Sequence, residues 1–512
     1  LSLALAAIML IGMMVVSASA ASYNDLTDKD QIVNKDAVSM LVSLGIIEGK
    51  PDGSYGPTEN VDRAQMAKML SVIMNKGVDN SALYQSVNSG LVDVNTNWAK
   101  GHINYCYTTG IIAGRGNGKF DPSATVTALE AAKMLLVAVG YDPAIEGFEG
   151  ADWAINVSVR ADEQGIFEGF TKDLSAPLNR DDAALLIYNA LDVEMIQSYT
   201  TNNYPIAYSD HRTILADKYG VIKVQGVVVA NEWASLASDD GDAALKEGKT
   251  TIYNGEGIFS TTGNTTVSKE DASLKTQTFN VSTPVDMLGK TVNLYIKKTT
   301  ILADSTVYGD PVVSDVNTVV TTGETVLYSG AKDPQVDYDK LLGENGLTDK
   351  DAKYFWNYNS GKYIPNTTEK YGDKTANVKG ATLTIIDNNG DGEVDYVLSV
   401  EKALADITSV NSKKETVTVR TLGTLDNKDV VGYEDMAKED VVLYVQYGGR
   451  TYLEKPEVVT GEMEHFNVKG TEKYMTVGGE KYKADELETN ARTEVVKFDV
   501  TECDKANGVQ FE

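Results

Sequence analysis

The sequence predicts a multidomain protein whose N-terminal part is all-α and whose remainder consists of all-β modules. Three related segments between residues 23 and 196 place apolar residues three and four apart and end their helices in glycine, which is typical of short helices. From about residue 198 the chain is rich in Thr, Val, Tyr, Asn and Gly in alternating runs, which is typical of strands. A chain of 512 residues is long enough for about three or four domains.

The charge balance excludes several classes of partner and site. The chain has 46 Lys and Arg residues against 74 Asp and Glu residues, a net charge of −28. Nucleic acid and anionic membrane surfaces repel such a chain at long range, so neither is expected as a partner. Three histidines and two cysteines leave little material for a histidine-ligated metal centre, a Ser-His-Asp triad or a Cys-His nucleophile.

Residues 1–20 are predicted to be a signal peptide. A nearly continuous apolar run over residues 1–16 is followed by small residues, which indicates cleavage after Ala20. A membrane anchor is the alternative, because about 20 apolar residues can span a bilayer. The small residues and the aspartates just behind them favour export, so we expect a secreted protein with no membrane segment after cleavage.

The next part of the chain is a threefold repeat. The units are predicted at residues 23–77, 88–145 and 149–196. They share the strings GIIEGKPDGSYGPTENVDRAQMAKML, GIIAGRGNGKFDPSATVTALEAAKML and, shorter by three residues, GIFEGFTKDLSAPLNRDDAALLI. Each unit predicts a helix that ends at the leading glycine, then a turn, then a second helix.

The second helix of each unit opens with residues suited to capping. It follows Asp62, Thr127 or Asn179. Three residues later stand Gln65, Glu130 or Asp182. Each pair matches a capping box or a close version of one, in which the side chain of each residue accepts a hydrogen bond from the backbone amide of the other. We predict these six residues to be helix caps rather than ligands.

The units resemble the S-layer homology (SLH) domain. The matching residues are Trp98-Ala99, Gly110–Gly114, Phe120–Pro122 and Val126–Glu130 in the second repeat, with Val61–Gln65 in the first and Leu178–Asp182 in the third. The resemblance covers about a third of the chain. It implies a pseudo-threefold helical prism that docks onto a secondary cell-wall polysaccharide, often pyruvylated, through grooves between repeats. It also implies a secreted protein of the bacterial cell wall.

Arg63 and Arg180 occupy the first position of the second helix, where the helix dipole disfavours a cation. Beside free amides, however, a guanidinium helps to build a site for a carboxylate such as a ketal-linked pyruvate. Together with the resemblance, this predicts both arginines as polysaccharide ligands, and a solvated surface arginine is the alternative. Repeat two has Ala128 at this position, so its groove is predicted to be silent or to serve only in packing.

Two tryptophans are further candidates for the polysaccharide site. Trp98 and Trp153 stand twelve residues before the leading glycine of their repeats, where the first repeat has Val33. A flat aromatic ring suits the apolar face of a pyranose, so stacking on the polysaccharide is one interpretation. A half-buried packing tryptophan is the other.

Beyond the repeats we predict a linker at residues 197–219 and several small β-modules over 220–512. Alternating runs that begin at Val221, Thr291 and Val442 predict strands.

One cluster in the β-rich region has the ligand order of a calcium loop. Asp387, Asn389, Asp391 and Asp395 supply oxygens at its first, third, fifth and ninth places, so a Ca²⁺ site is one interpretation. A hairpin turn is the alternative, because apparent strands flank the cluster and Leu398 stands where an EF-hand has its bidentate Glu.

These observations favour a structural protein of the cell surface over an enzyme. The repeats would hold it noncovalently to the wall, and the β-modules would self-associate as S-layer or coat material. No catalytic residue is predicted. The alternatives are an exported glycan hydrolase, which needs a carboxylate pair in a cleft, and an adhesin, which needs an exposed apolar or aromatic patch.

Overall fold

The computed structural model describes residues 23–237, 244–255, 275–297, 304–322, 335–360, 375–377, 381–456, 461–467 and 473–484. The predicted signal peptide lies outside these residues. The chain divides into two compact units. Unit 1 comprises residues 1–226, 253–281 and 293–312, and unit 2 comprises residues 227–252, 282–292 and 313–512.

Each repeat of unit 1 contributes two α-helices. They are α1 (Lys35–Ser43), α2 (Arg63–Met74), α3 (Lys100–Thr108), α4 (Ala128–Val139), α5 (Trp153–Glu163) and α6 (Arg180–Leu191). The apolar stripes of these helices share one core, in which Met40, Leu70 and Leu186 are almost completely buried. The coarse prediction of helices followed by β-sheets is therefore confirmed.

A closed ring of three backbone hydrogen bonds joins the repeats. The amide of Val61 donates to the carbonyl oxygen of Leu178 at 2.8 Å, that of Leu178 to Val126 at 2.8 Å, and that of Val126 to Val61 at 2.9 Å. Because each residue immediately precedes the cap of α2, α4 or α6, the three second helices start from a common point. The ring therefore brings together the three equivalent repeat positions held by Arg63, Ala128 and Arg180.

The segment predicted as a linker has structure of its own. Residues 197–219 include most of β1 (Ile196–Tyr199), all of β2 (Pro205–Ala207) and a single π-helical turn, Leu215–Tyr219. β1 and β2 pair antiparallel. The polar composition suggested a simple connection, but the Tyr199 hydroxyl donates to Glu146 and accepts from the amide of Asp142, which fixes the hairpin at the end of repeat two.

The rest of the described chain is mostly strands. Residues from 221 to 313 contribute β3 (Val221–Asn231), β4 (Thr250–Tyr253), β5 (Thr276–Phe279), β6 (Thr291–Lys297) and β7 (Thr306–Val313). Unit 2 continues with β8 (Thr318–Thr322), β9 (Gln335–Asp337), β10 (Lys353–Trp356), β11 (Asn359–Ser360), β12 (Thr375–Asn377), β13 (Ala381–Asp387), β14 (Tyr396–Glu401), β15 (Ala403–Asn411), β16 (Thr416–Val419), β17 (Gly423–Asp426), β18 (Val430–Val431), β19 (Val441–Tyr447), β20 (Arg450–Glu454), β21 (Met463–Asn467), β22 (Lys473–Val477) and β23 (Glu480–Ala484). The strands predicted at Val221 and Thr291 begin at those residues, and the one predicted at Val442 begins one residue earlier.

Two larger sheets organise unit 2. One has the strand order β11-β10-β14-β13-β8, and the other has the order β17-β16-β15-β19-β20-β18. The first sheet covers a short helix, α7 (Tyr338–Glu344), with Leu383, Ile385 and Val397 on the covered face. The expectation of purely β modules is therefore wrong at α7.

Candidate functional site

Arg63 joins repeat one to repeat two. It is the first residue of α2, and its guanidinium carbon lies 4.4 Å from the centre of the Phe120 ring. Its Nε donates to the carbonyl oxygen of Phe120 at 2.8 Å, and its Nη2 donates to that of Ala113 at 2.9 Å. Because only 4% of Arg63 is exposed, much of its hydrogen-bonding capacity serves the protein itself. Arg63 therefore positions the loop of repeat two and carries a positive charge to the boundary.

Arg180 makes the matching contact between repeat three and repeat one. It begins α6, its guanidinium carbon lies 4.8 Å from the centre of the Tyr55 ring, and its Nη2 is 3.5 Å from the carbonyl oxygen of Glu48. Its buried Nε has no hydrogen-bond partner among the described residues. Arg180 is less enclosed than Arg63, so it has more donor capacity left for a ligand.

Further cations accompany Arg63. We call the set of Arg63, Arg115, Phe120, Lys133 and Trp153 the first seam. Arg115 pairs with Glu130 at 2.8 Å, and Lys133 Nζ lies 5.6 Å from the centre of the Trp153 ring. Burial lowers the pKa of Arg63, and the charge of Arg115 acts in the same direction. Burial likewise lowers the pKa of Lys133, and the positive charge of Arg63 lowers it further. Cations that perturb one another in this way favour an anionic ligand.

The repeat positions equivalent to those of the first seam define a second set that includes Arg180. This second seam consists of Arg180, Lys50, Tyr55, Lys68 and Trp98. Lys50 pairs with Glu59, and Lys68 Nζ lies 3.8 Å from Glu48 Oε2. Trp98 is 59% exposed, whereas Trp153 in the first seam is half-buried, so Trp98 offers more ring surface to solvent.

The third set lacks these features. This third seam has Ala128 for the arginine, Phe170 for the loop cation, Lys172 for the aromatic ring, Leu185 for the helix lysine and Val33 for the tryptophan. Its one cation, Lys172, pairs with Asp182 Oδ2 at 2.5 Å. The equivalence follows from three matching backbone bonds: Ala64 donates to Pro122, Leu129 to Leu174 and Asp181 to Pro57. Arginine, aromatic ring and tryptophan are thus present together in two seams and absent together in the third.

The six predicted capping residues lie at the starts of α2, α4 and α6. Both bonds of a capping box are present for Asp62 with Gln65 and for Thr127 with Glu130. Asn179 accepts from the amide of Asp182 at 2.7 Å, but the Asp182 carboxylate pairs with Lys172 instead of returning a bond. Glu130 also pairs with Arg115, so it connects the cap to the first seam.

The predicted calcium loop is a turn between β13 and β14. Asp387 is 1% exposed, and its carboxylate accepts three backbone amides of the loop at 2.8–3.1 Å. Asn389 and Asp391 each accept the amide two residues on, and Asp395 accepts that of Asn388. Burial raises the pKa of Asp395, with Asp387 and Asp391 adding to it. Within the described ranges no group of three or more His, Cys, Asp or Glu side chains is placed to hold a metal. Calcium binding stays a prediction.

Sequence reasoning did not identify the loop cations and helix lysines of the seams. Lys50 and Arg115 share one position of the repeat, and Lys68 and Lys133 share another. A comparison of all positions across the repeats, rather than of the motif alone, would have found them.

The first two repeats match a family model. Residues 22–67 and 92–132 match the S-layer homology domain. A "Cell surface protein" of Thermoanaerobacter kivui is 28% identical over 243 residues, which cover 47% of this chain and 29% of the relative. This chain is an SLH-domain surface protein. Its third repeat lies outside the two matched segments but contributes the same pair of helices, α5 and α6.

Other relatives of the SLH protein include an enzyme. An S-layer protein of Bacillus licheniformis is 33% identical over 113 residues, 22% of this chain and 12% of the relative. An amylopullulanase of Thermoanaerobacterium thermosulfurigenes is 30% identical over 185 residues, 33% of this chain and 10% of the enzyme. The chain therefore spans less than a third of each of these relatives. The expected location, secreted to the bacterial cell wall, is confirmed by the SLH match and the surface-protein relatives. In the described part of the chain no helix combines the length and apolar character needed to cross a bilayer.

A buried histidine makes the SLH region sensitive to acid. His102 is 4% exposed, its Nδ1 lies 2.5 Å from Ser71 Oγ and its Nε2 lies 3.6 Å from Asp79 Oδ2. Burial lowers the pKa of His102 and outweighs the opposing effect of Asp79, while Lys68 lowers it further. The unfolded chain therefore binds the proton more readily than the folded chain. The free energy of unfolding is unaffected by His102 above about pH 6.5 and falls as the pH drops below that value.

We expect His102→Gln to reduce this acid sensitivity. Between pH 7.5 and pH 5 the melting temperature should fall less in the variant than in the wild type. Each kcal/mol of lost stability corresponds to a fall of about 2–4 °C. His211→Gln is the comparison variant, because it removes an exposed histidine instead of a buried one. Equal profiles for the wild type and His102→Gln would contradict the assignment.

Proposed function

We propose that the three SLH repeats form a pseudo-threefold prism that anchors the protein to a secondary cell-wall polysaccharide. The observation that carries the proposal is the pattern of the seams. Two seams combine an arginine, a second cation, a lysine and a tryptophan, and the third has Ala128 and Val33 at the arginine and tryptophan positions. Such a division is expected if two seams bind ligand and one serves only in packing.

The ligand best suited to these seams is an acidic saccharide. The first and second seams each bring several cations to one boundary between repeats, although the whole chain carries a net charge of −28. Such a local excess of positive charge favours a negatively charged ligand. Guanidinium groups bind carboxylates through directed hydrogen bonds, as a pyruvyl substituent would require. Trp98 and Trp153 supply flat apolar surface for the sugar ring. Arg180 is the stronger candidate for direct contact, because Arg63 is more fully committed to protein carbonyls.

The test is sedimentation of the full chain with purified cell walls. We expect binding to walls that retain the secondary polysaccharide and none to walls from which it has been extracted. A pyruvylated fragment of the polysaccharide should compete more strongly than the same fragment without pyruvate. Equal binding to extracted and intact walls would contradict anchoring through the polysaccharide, and equal competition would contradict the acidic substituent.

The β-rich region is proposed to form surface-coat material by self-association. Its support is the similarity to S-layer and cell-surface proteins, together with sheets that account for most of the described part of unit 2. Electron microscopy of walls coated with the purified protein should show a lateral layer.

An anchored glycan hydrolase is the second candidate, because the amylopullulanase relative is an enzyme by its name. The match covers a tenth of that enzyme, which is what a shared anchoring region would produce. Release of reducing sugar from wall glycan or α-glucan by the purified protein would favour this candidate over the structural one.

A further inference from the structure

Unit 2 contains a cleft between its two larger sheets. The cleft has a volume of about 540 Å³, within the range of about 300–1,000 Å³ that is common for small-molecule sites. Thr384 and Leu398 line it from the five-stranded sheet, and Leu443 and Val445 line it from the six-stranded sheet. The opposite face of the five-stranded sheet packs on α7, so the residues that face the cleft are not required for that core.

A row of aromatic rings forms one wall of the cleft. The ring centres of Tyr358 and Tyr447 are 4.8 Å apart and edge-on, and those of Tyr447 and Tyr452 are 4.1 Å apart and stacked. Trp233 extends the row, 6.2 Å from Tyr452. Burial raises the pKa of Tyr358 and of Tyr447, so both hydroxyls remain neutral hydrogen-bonding groups at physiological pH.

The turn that carries Tyr358 is built against local preference. β10 and β11 are joined by two residues, Asn357 with φ of 46° and Tyr358 with φ of 62°. A hairpin turn of this kind prefers Asn followed by Gly, because the second residue also needs positive φ. Asn357 follows this preference and Tyr358 does not. Backbone strain of this sort concentrates where a side chain has a function, and the Tyr358 ring lines the cleft.

The charges of the cleft cancel. Lys402 pairs with Glu454 at 2.6 Å, and Lys290 lies 3.8 Å from Asp286. All four line the cleft, together with the hydroxyls of Thr321, Thr382 and Thr384. Each of the two lysines that line the cleft has a carboxylate neighbour. The cleft therefore offers paired charges and hydroxyls but no excess charge to attract an anion.

We propose that this cleft binds an uncharged saccharide of a few sugar rings. The tyrosine rings and aliphatic side chains suit the apolar faces of the sugars. Tyrosine and threonine hydroxyls and the two ion pairs suit their hydroxyl edges, which need donors and acceptors together. Acidic sugars are disfavoured, because the rim is neutral and the whole chain carries −28. The site is separate from the seams and takes the opposite class of glycan.

The proposal is tested by titration calorimetry on the full chain with maltotriose, cellotriose and tri-N-acetylchitotriose, beside trigalacturonic acid. We expect at least one of the three neutral probes to bind, and the acidic probe to bind more weakly. Tyr358→Asn should weaken that binding by tenfold or more, because it removes the ring and keeps a residue that tolerates positive φ. Thermal unfolding of the variant establishes that unit 2 is folded.

Three results would overturn the proposal. They are binding of none of the neutral probes, unchanged binding in folded Tyr358→Asn, and tighter binding of the acidic probe. Lys350→Met is the matched control, because it breaks a surface ion pair with Glu393 that does not line the cleft. A Trp98→Ala/Trp153→Ala variant should retain cleft binding, so failure of the anchor and failure of the cleft are distinguishable.

Discussion

Replacing both tryptophans, as in Trp98→Ala/Trp153→Ala, is expected to weaken binding of the protein to intact cell walls by tenfold or more. The two rings are proposed to stack on sugars in the second and first seams, and tenfold corresponds to about 1.4 kcal/mol. Sedimentation at a series of wall concentrations measures the change. Trp98 is 59% exposed, so removing its ring costs little packing. Trp153 is half-buried against the core, so thermal unfolding must show that the variant is folded before the loss of affinity is assigned to the ligand.

Val33→Ala is the matched control for the tryptophans. Val33 holds the equivalent position in the third seam and is 82% exposed, so its replacement should leave wall binding unchanged. If the double tryptophan variant binds as well as the wild type, the arginines and not the tryptophans bind the ligand. A loss of binding in Val33→Ala would show that the third seam takes part after all.

Gly101→Ala is expected to destabilise the SLH region by about 1–3 kcal/mol or more, although glycine-to-alanine changes in helices usually stabilise by about 0.5–1 kcal/mol. Gly101 lies in α3, and a Cβ atom there would stand 2.1 Å from the carbonyl oxygen of Ser81. Since the obstacle is backbone, the helix has to move. Urea unfolding followed by the helical circular dichroism signal measures the shift.

Gly343→Ala provides the comparison for Gly101→Ala. Gly343 lies in α7, and a Cβ atom there has no neighbour within 4 Å. The variant should gain stability or stay neutral. A stabilising Gly101→Ala would mean that α3 and the Ser81 turn are not in close contact in solution.

Local patterns were sufficient to predict the helices of the repeats. Apolar spacing and capping residues depend on neighbours in the chain, and α1, α3 and α5 each end two residues before the leading glycine at which the sequence predicted their ends. The seams could not be predicted in this way. They depend on contacts such as Lys133 with Trp153, and Arg63 with Phe120, between residues that only the closed arrangement brings together.

The β-rich region was less predictable for a related reason. Alternation identifies a strand but not its partner, and the pairing of β10 with β14 is parallel and distant in sequence. The cleft depends on two such sheets and on the conformation of Tyr358, a residue whose type gives no signal of positive φ. The structure within segment 197–219 was not predicted, because it depends on the contacts of Tyr199 with Asp142 and Glu146, far away in the sequence.

The ring of backbone bonds also bears on how an exported chain reaches its folded state. A polypeptide that has delivered only its first two repeats has a Val61 amide without its acceptor, because the acceptor belongs to Leu178. Closure of the ring is possible only once the last repeat has arrived. The arrangement of three repeats is therefore completed only after Leu178 has left the cell, even though contacts between the first two repeats can form earlier.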